Sequence, residues 1–363
     1  MRAWTSAQSL AAHSQDFRQF CDMRLSTLAN GQRIIHAHNA AGLNLSFLPD
    51  RGLDIWQAHY QGIPLTWTSG GSPHKADYGQ SWLGQFNGGL LTTCGLAHVG
   101  AAEVDDLNGE RRDIHGNFTR LSAQDVNITL YDGINRLGEL DWVGIELRGT
   151  LYEGRLFGAQ WKIERHYLLS FDQPKLILWD TVINCADQPM PLMLLYHVNL
   201  GYPLVRQGAQ LYTPHERVIP RDPAAEVGFE SWGTYDAPLA QYPEQVFYHV
   251  LRAQDSTTEV VMHQDDFGLS LKWDCAAAPY FTQWKNTRQG MYVCGIEPGN
   301  CIPEGQNAAR QAQRLEMVEA GGRRRFDLSL EVLGSLEAVR AATDRVTHLA
   351  ETGQRALNNR LSP

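Results

Sequence analysis

The sequence has little of what a redox centre, a membrane or a nucleic acid would need. Its 363 residues include six cysteines, with no Cys-x-x-Cys pair and no zinc-type spacing, which predicts free and mostly buried thiols in a reducing compartment. Long apolar runs and a signal-peptide core are absent, so we expect a soluble cytoplasmic protein without membrane contact. The formal net charge of −9, with Arg323–Arg325 as an isolated basic triplet, disfavours a nucleic-acid partner.

Motifs for nucleotide, phosphate and metal-dependent chemistry are also missing. No Gly-x-Gly-x-x-Gly, phosphate-binding loop, Gly-x-Ser-x-Gly or His-Glu-x-x-His pattern occurs. A metal could be held by His98, His115 and His197, but nothing in their spacing favours one. We therefore predict no cofactor and no metal.

Aromatic residues and short alternating apolar runs are abundant. Ten Trp, 13 Tyr and 12 Phe favour strands and also suit surfaces that stack on sugars. No linker or repeat divides the chain, so we predict one all-β domain over residues 1–363, a large antiparallel β-sandwich. A weakly helical lead-in (1–30) would cover one end of a sheet. The strands are expected at 34–36, 43–48, 53–59, 64–67, 127–131, 143–152, 159–169, 175–183, 192–199, 246–253, 259–263, 269–273, 280–285, 291–297 and 326–332.

The tail and the long loops are the exceptions to the strand pattern. In the tail (334–363), apolar residues recur every three or four positions, which predicts an amphipathic helix. This helix would cap the sheets or mediate self-association, so a homodimer is one expected assembly. Residues 68–90 and 205–245 have no period and are predicted to be long loops, which in compact domains are often functional.

The segment Pro191–Pro203 combines an apolar strand with two polar side chains. If it is a strand, Met193, Leu195, His197 and Asn199 share one face. Burying two polar side chains is costly unless each is hydrogen-bonded. A histidine that is simply satisfied in the core is the plain alternative to a functional one.

A second candidate is Glu297, which ends an apolar run directly before Pro-Gly. Burial at such a place raises a carboxyl pKa and makes the group a useful base near neutral pH. The alternative is an ordinary exposed carboxylate at a strand end. Trp284 and Lys285, in the preceding polar segment, are added as substrate-binding candidates from their local chemistry.

Charged residues on turns punctuated by glycine complete the candidate set. Arg51 and Asp54 lie in Pro-Asp-Arg-Gly-Leu-Asp-Ile, and His115 lies in Asp-Ile-His-Gly-Asn. We predict that all of them contribute to one substrate site. The alternatives are a charged turn for the first segment and an exposed loop histidine for the second.

Together these motifs resemble the aldose 1-epimerase (galactose mutarotase-like) superfamily, in particular a branch of uncharacterised bacterial relatives. The matching pieces, in order, are Leu48–Ile55, Gly88–Leu96, Ile114–Gly116, Leu195–Pro203 and Gly295–Pro298, and they span residues 40–332. The resemblance implies a large antiparallel sandwich with a sugar site on one concave face.

In such enzymes a Glu takes the proton of the anomeric hydroxyl and a His protonates the ring oxygen. The resemblance therefore implies that Glu297 is the base, His197 the acid and His115 a sugar-binding residue. Arg51 belongs to a motif of the branch and takes its role from there. The branch usually has a basic residue after His-Gly, where this chain has Asn117, and this departure bears on the substrate more than on the fold.

Three functions follow as expectations. The leading hypothesis is a cofactor-free isomerase that interconverts anomers or epimers of a free sugar, an aldose or ketose of five or six carbons. The first alternative is a carbohydrate-binding protein that uses the same pocket without turnover. The second is a carbohydrate lyase, in which Arg51 would neutralise a uronate carboxylate.

Overall fold

A computed structural model describes residues 10, 12–71, 73–134, 140–156, 158–356 and 359–361. About half of this part of the chain is β-strand. In chain order the strands are β1 Asp22–Thr27, β2 Arg33–His38, β3 Leu43–Leu48, β4 Asp54–Tyr60, β5 Ile63–Pro64, β6 Leu91–Leu96, β7 Glu103–Val104, β8 Arg111–Arg112, β9 Gln124–Ile134, β10 Leu140–Gly154, β11 Gln160–Ser170, β12 Lys175–Asn184, β13 Met190–Leu200, β14 Gln210–Tyr212, β15 His215–Pro220, β16 Gln245–Ala253, β17 Thr257–Gln264, β18 Phe267–Asp274, β19 Tyr280–Arg288, β20 Met291–Gly299, β21 Glu316–Val318, β22 Arg323–Leu333 and β23 Gln354–Arg355.

The strands form two large antiparallel sheets. Within the described ranges, the first sheet has the order β1-β2-β3-β4-β6-β13-β20-β19-β16-β15, with β5, β21 and β23 paired at its margins. The second sheet has the order β14-β17-β18-β22-β12-β11-β10-β9. The predicted all-β sandwich is confirmed.

The main hydrophobic core lies between the two sheets. Alternate residues of β13, namely Leu194, Tyr196 and Val198, enter it, together with an aromatic pair formed by Phe47 and Tyr167 at 4.8 Å between ring centroids. Alternation sends the other β13 residues to the outer face of the first sheet. That outer face is covered by loops and carries the candidate site.

One buried arginine connects the two sheets. Arg165 on β11 donates to Asp180 at 2.6 and 2.8 Å and to Asp54 at 2.8 Å. The Tyr196 hydroxyl donates to Asp180 at 2.8 Å from the opposite sheet. Removing one partner from such a buried network leaves an uncompensated charge and costs about 3–5 kcal/mol.

The helices lie at the periphery and are α1 Pro223–Val227, α2 Gln306–Gln311 and α3 Leu336–Thr352. The Ser335 side chain caps α3 by accepting from the Ala338 N–H. The helix buries Val339, Ala342 and Val346 against the second sheet, and its Arg345 donates to the buried Glu259 at 2.7 Å. The tail therefore caps a sheet, as one of the two expectations stated. No helix among the described residues is long and apolar enough to cross a membrane.

Several segments differ from the expected elements, among them the central strand β6, which no predicted strand covers. The lead-in contains β1, an edge strand paired with β2. The sequence pattern does not predict this strand, because an exposed edge strand lacks the clean alternation of apolar and polar residues. Residues 205–245 contain β14, β15 and α1 within the predicted loop. Of the predicted strand 64–67, only Pro64 lies in a strand, and Thr66 forms an isolated bridge to Leu200.

Candidate active site

The outer face of the first sheet places His197 beside Glu297. The register that pairs Leu195 with Gly299 and Val198 with Ile296 puts these two residues opposite each other on β13 and β20. Nε2 of His197 lies 3.2 Å from Oε1 of Glu297, and the side chains are only 8% and 3% exposed. They are therefore within ion-pair distance, although the contact does not have the geometry of a hydrogen bond.

Burial sets the protonation state of this pair. It lowers the pKa of His197 to about 3, with His115 adding to the shift and Asn199 opposing it. It raises the pKa of Glu297 to about 8, with the charge of Glu244 adding to the shift and Arg221 opposing it. Between these values the pair holds one proton in total, and that proton resides on Glu297.

Aromatic rings surround the pair. The Trp284 ring meets the His197 ring edge-on at 5.5 Å, and Phe86 lies 5.7 Å from the same ring. Trp67 contacts both Trp284 and Phe86 at 5.9 and 5.8 Å. Because aromatic faces stack on the C–H groups of sugars, this wall suits a pyranose or furanose. Phe86 and its neighbour Trp82 come from the predicted functional loop at 68–90, whose richness in aromatics was the available signal.

His115 lies on a turn that reaches the same site. Its backbone has φ of 55°, and it is held by the His115 N–H bond to Gly100 O and by the Gly95 N–H bond to its own carbonyl. The ring contacts Trp82 at 4.8 Å and His197 at 6.2 Å. Burial lowers the pKa of His115 to about 4, so the ring is neutral at physiological pH. A neutral imidazole can hold a sugar hydroxyl as donor or acceptor.

Arg51 is buried and bonded to the backbone, so it is not placed to bind a substrate. Its buried guanidinium donates to three backbone carbonyls, of Thr119 at 2.8 Å, Gln85 at 3.0 Å and His74 at 3.2 Å. These contacts fasten the loop at 68–90 to the sheet. Arg51 thus supports the aromatic wall and is buried away from solvent.

Asp54 is likewise a structural residue. Its carboxylate accepts from the N–H and hydroxyl of Thr93 at 3.0 and 2.6 Å and from Arg165 at 2.8 Å. These partners lie between the sheets, on the other side of the first sheet from His197. The predicted contact of Asp54 with substrate is not supported by this placement.

Asn199 and Lys285 were also expected to bind substrate. Asn199 shares the face of His197, but its amide donates to Gly89 O at 2.9 Å and to His197 O at 3.1 Å. Lys285 donates to Ser231 O and Thr234 O, both at 2.7 Å, and is buried. Trp284 and Lys285 are adjacent on β19, so strand alternation sends them to opposite faces and only Trp284 contacts the site.

The three histidines considered as metal ligands are not arranged as a metal site. His98 bonds Ala101 O through Nε2 at 2.7 Å, and its Nδ1 lies 3.3 Å from Glu103. Within the part of the chain that the structure describes, no group of three or more His, Cys, Asp or Glu side chains could hold a metal ion.

A cavity of about 750 Å³ lies beyond the His115 turn. Its wall includes Asn117, Arg120 and Glu153. Arg120 donates to the Asn117 side chain at 3.1 Å, which brings a cation next to the position where the related branch carries one. Burial raises the pKa of Glu153 to about 7.

One protein family matches most of the chain. The family described as a domain of unknown function, DUF4432, matches residues 29–332. The chain belongs to this family. No curated protein matches this DUF4432 member.

Solved structures similar to this DUF4432 protein share its fold. A candidate aldose 1-epimerase from Klebsiella pneumoniae subsp. pneumoniae MGH 78578 superposes with a TM-score of 0.83 at 24% identity, covering 92% of this chain and 88% of the other. The Slr1438 protein from Synechocystis sp. PCC 6803 gives 0.59 at 17% identity, covering 89% and 100%. Galactose 1-epimerase from Lactobacillus acidophilus NCFM gives 0.56 at 12% identity, covering 86% and 98%. The resemblance stated from the motifs is therefore confirmed at the level of fold.

Proposed function

We propose that this protein is a cofactor-free isomerase that interconverts the anomers or epimers of a free five- or six-carbon sugar. The observation that carries the proposal is the contact of 3.2 Å between His197 and Glu297, beside an aromatic wall and enclosed from solvent. The similar folds of aldose 1-epimerases support the same reaction class.

The reaction needs two proton transfers in opposite directions. Glu297 takes the proton of the anomeric hydroxyl while His197 gives a proton to the ring oxygen, and the bond between C1 and the ring oxygen breaks. The open-chain carbonyl then rotates about C1–C2. Closure on its other face returns the proton from the ring oxygen to His197 and the proton on Glu297 to the anomeric oxygen.

The number of protons on the pair matches this requirement. The pair must hold one proton, and with pKa values of about 3 and about 8 it does so over the neutral range. From sequence we expected a charged imidazolium beside a carboxylate. Burial instead favours the neutral forms, with the proton on Glu297, so the proton moves to His197 as the reactive form is reached. General acid–base assistance contributes about 10²–10⁴-fold.

The remaining groups hold the sugar. His115 offers a neutral ring whose Nδ1 is buried without a partner, and the Trp284 and Trp67 rings offer stacking faces. The lyase alternative depended on Arg51, which is buried and donates to three backbone carbonyls, so it is not open to a uronate.

Anomer exchange measured by NMR across a panel of free aldoses and ketoses tests this function. We expect at least one sugar to exchange faster than in buffer, and Glu297→Gln to lose about 10²-fold or more of that rate. Glu351→Gln, which changes an exposed carboxylate on α3, is the matched control and should keep full activity.

Two results would contradict the proposal. If sugars bind in the same NMR samples but none exchanges faster than in buffer, the protein is a carbohydrate-binding protein. If exchange persists unchanged in Glu297→Gln, the assignment of the base is wrong.

A further inference from the structure

Glu244 forms a hydrogen-bonded bridge at the rim of the site. Its carboxylate accepts from Nε1 of Trp284 at 3.0 Å and from the guanidinium of Arg221 at 3.2 Å. Arg221 is itself anchored by Nε, which donates to Asp222 at 2.7 Å. The Glu244 side chain is 50% exposed, so these bonds hold the indole from the solvent side.

The position of the Trp284 indole matters because the same ring contacts His197. The two rings meet at an interplanar angle of 73°, with Trp67 packed against the indole at 85°. An indole that lost its Nε1 acceptor would be free to rotate about its side-chain bonds. Rotation would open the wall on one side of His197.

We propose that Glu244 is a positioning residue of this site, which fixes the Trp284 indole against His197 and places one negative charge near Glu297. The proposal rests on the proposed function for its effect on turnover. Its effect on Glu297 is independent of any substrate.

The surroundings of Glu297 make that charge effective. The titratable groups that interact with it from neighbouring elements are neutral near pH 7, because burial lowers the pKa of the histidine and raises the pKa of the thiols and the phenol. These groups are His197, Cys94, Cys294 and Tyr248. The charges that act on the Glu297 carboxyl are those of Glu244, which disfavours ionisation, and Arg221, which favours it.

Three variants separate position from charge. Glu244→Gln keeps an acceptor for the indole and removes the charge, Glu244→Ala removes both, and Arg221→Gln removes the opposite charge. The pKa of Glu297 is read from its ¹³C carboxyl signal, identified as the signal lost in Glu297→Gln. We expect Glu244→Gln to lower that pKa, and Arg221→Gln to raise it, each by about half a pH unit.

Turnover tests the positioning role. In Glu244→Ala we expect kcat for anomer exchange to fall about tenfold beyond any change in Glu244→Gln, since only the alanine variant frees the indole. Equal kcat in the two variants would overturn the positioning role. Shifts of the Glu297 pKa that are absent or have the same sign in Glu244→Gln and Arg221→Gln would overturn the electrostatic role. Absence of exchange in the parent protein would remove the proposed function and leave the pKa test standing.

Discussion

A Cβ atom at position 295 would lie 2.6 Å from Oε1 of Glu297. Gly295 is two residues before Glu297 on β20 and shares its face, so the absence of a side chain there makes room for the carboxyl beside His197. The next nearest atoms are Cβ of Trp284 at 3.0 Å and Cε1 of His197 at 3.4 Å, so an alanine would displace the groups of the site itself.

Gly295→Ala should therefore reduce activity far more than stability. We expect the displaced carboxyl to lower anomer exchange by about 10²-fold, the lower end of general acid–base assistance. The free energy of unfolding, measured by urea denaturation, should change by less than about 1 kcal/mol. Gly70→Ala is the control, because a Cβ atom there meets nothing within 4 Å. Equal losses of activity in the two variants would show that the space at 295 has no role.

The single proton of the pair predicts the pH dependence of exchange. Activity requires one proton, so kcat/KM should be flat at neutral pH and should fall as pH rises through about 8, where Glu297 loses its proton. It should fall again near pH 3, if the fold survives, as His197 gains a second proton. NMR exchange rates between pH 5 and 10 check the upper limb. A rate that rises through pH 8 would mean that the fully deprotonated pair is the active form.

The buried carboxyl of Glu153 predicts a pH-dependent change in stability that does not involve His197 or Glu297. Its pKa is raised by burial from about 4.5 to about 7, although the Leu96 N–H donates to it at 3.2 Å. A raised native pKa gives stability that is complete below pH 4.5 and is lost as pH rises through 7. In Glu153→Gln this loss should be absent, so the variant should gain up to about 3 kcal/mol relative to the parent at pH 9. Denaturant melts at pH 5 and 9 measure it.

The control for Glu153 is Glu351→Gln on the exposed face of α3. Its difference from the parent should be the same at both pH values. A Glu153→Gln variant whose stability follows the parent at every pH would show that the buried carboxyl does not titrate in this range.

The buried network of Arg165, Asp180 and Asp54 between the sheets predicts a large loss of stability when the arginine is removed. Arg165→Met leaves Asp180 and Asp54 buried without their cation and should cost about 3–5 kcal/mol in the free energy of unfolding. Arg325→Met breaks an exposed pair with Asp327 and should cost less than about 1 kcal/mol. A loss in Arg165→Met as small as that in Arg325→Met would contradict a stabilising role of this buried network.

The strands and the central site residues were predictable because their signals are local. Alternation along β13 placed His197 and Tyr196 on opposite faces, and the structure agrees, with Tyr196 in the core. His197 and Glu297 lie near the ends of β13 and β20, and His115 occupies a turn next to Gly116. The motifs also carried the superfamily resemblance, and the similar solved structures share the fold that it implies.

Other assignments depended on contacts between distant residues, which one sequence does not display. Arg51 and Asp54 looked like site residues because charges in a strand pattern are unusual, and the structure uses them to fasten a loop and connect the sheets. Lys285 was assigned to the same site as its neighbour Trp284, although adjacent residues of a strand point to opposite faces. Glu244 gave no local signal, since only the fold brings it to Trp284 across 40 residues.

The two faces of the strand β13 have different roles. Its inner residues fill the core and its outer residues include His197, so insertion or deletion of one residue in the strand would exchange the two sets and disrupt both faces. Substrate preference in this family is therefore expected to diverge by point substitutions on the outer face and by changes of length confined to the covering segments at 68–90 and 205–245. Designed changes of specificity should therefore leave the length of β13 unaltered.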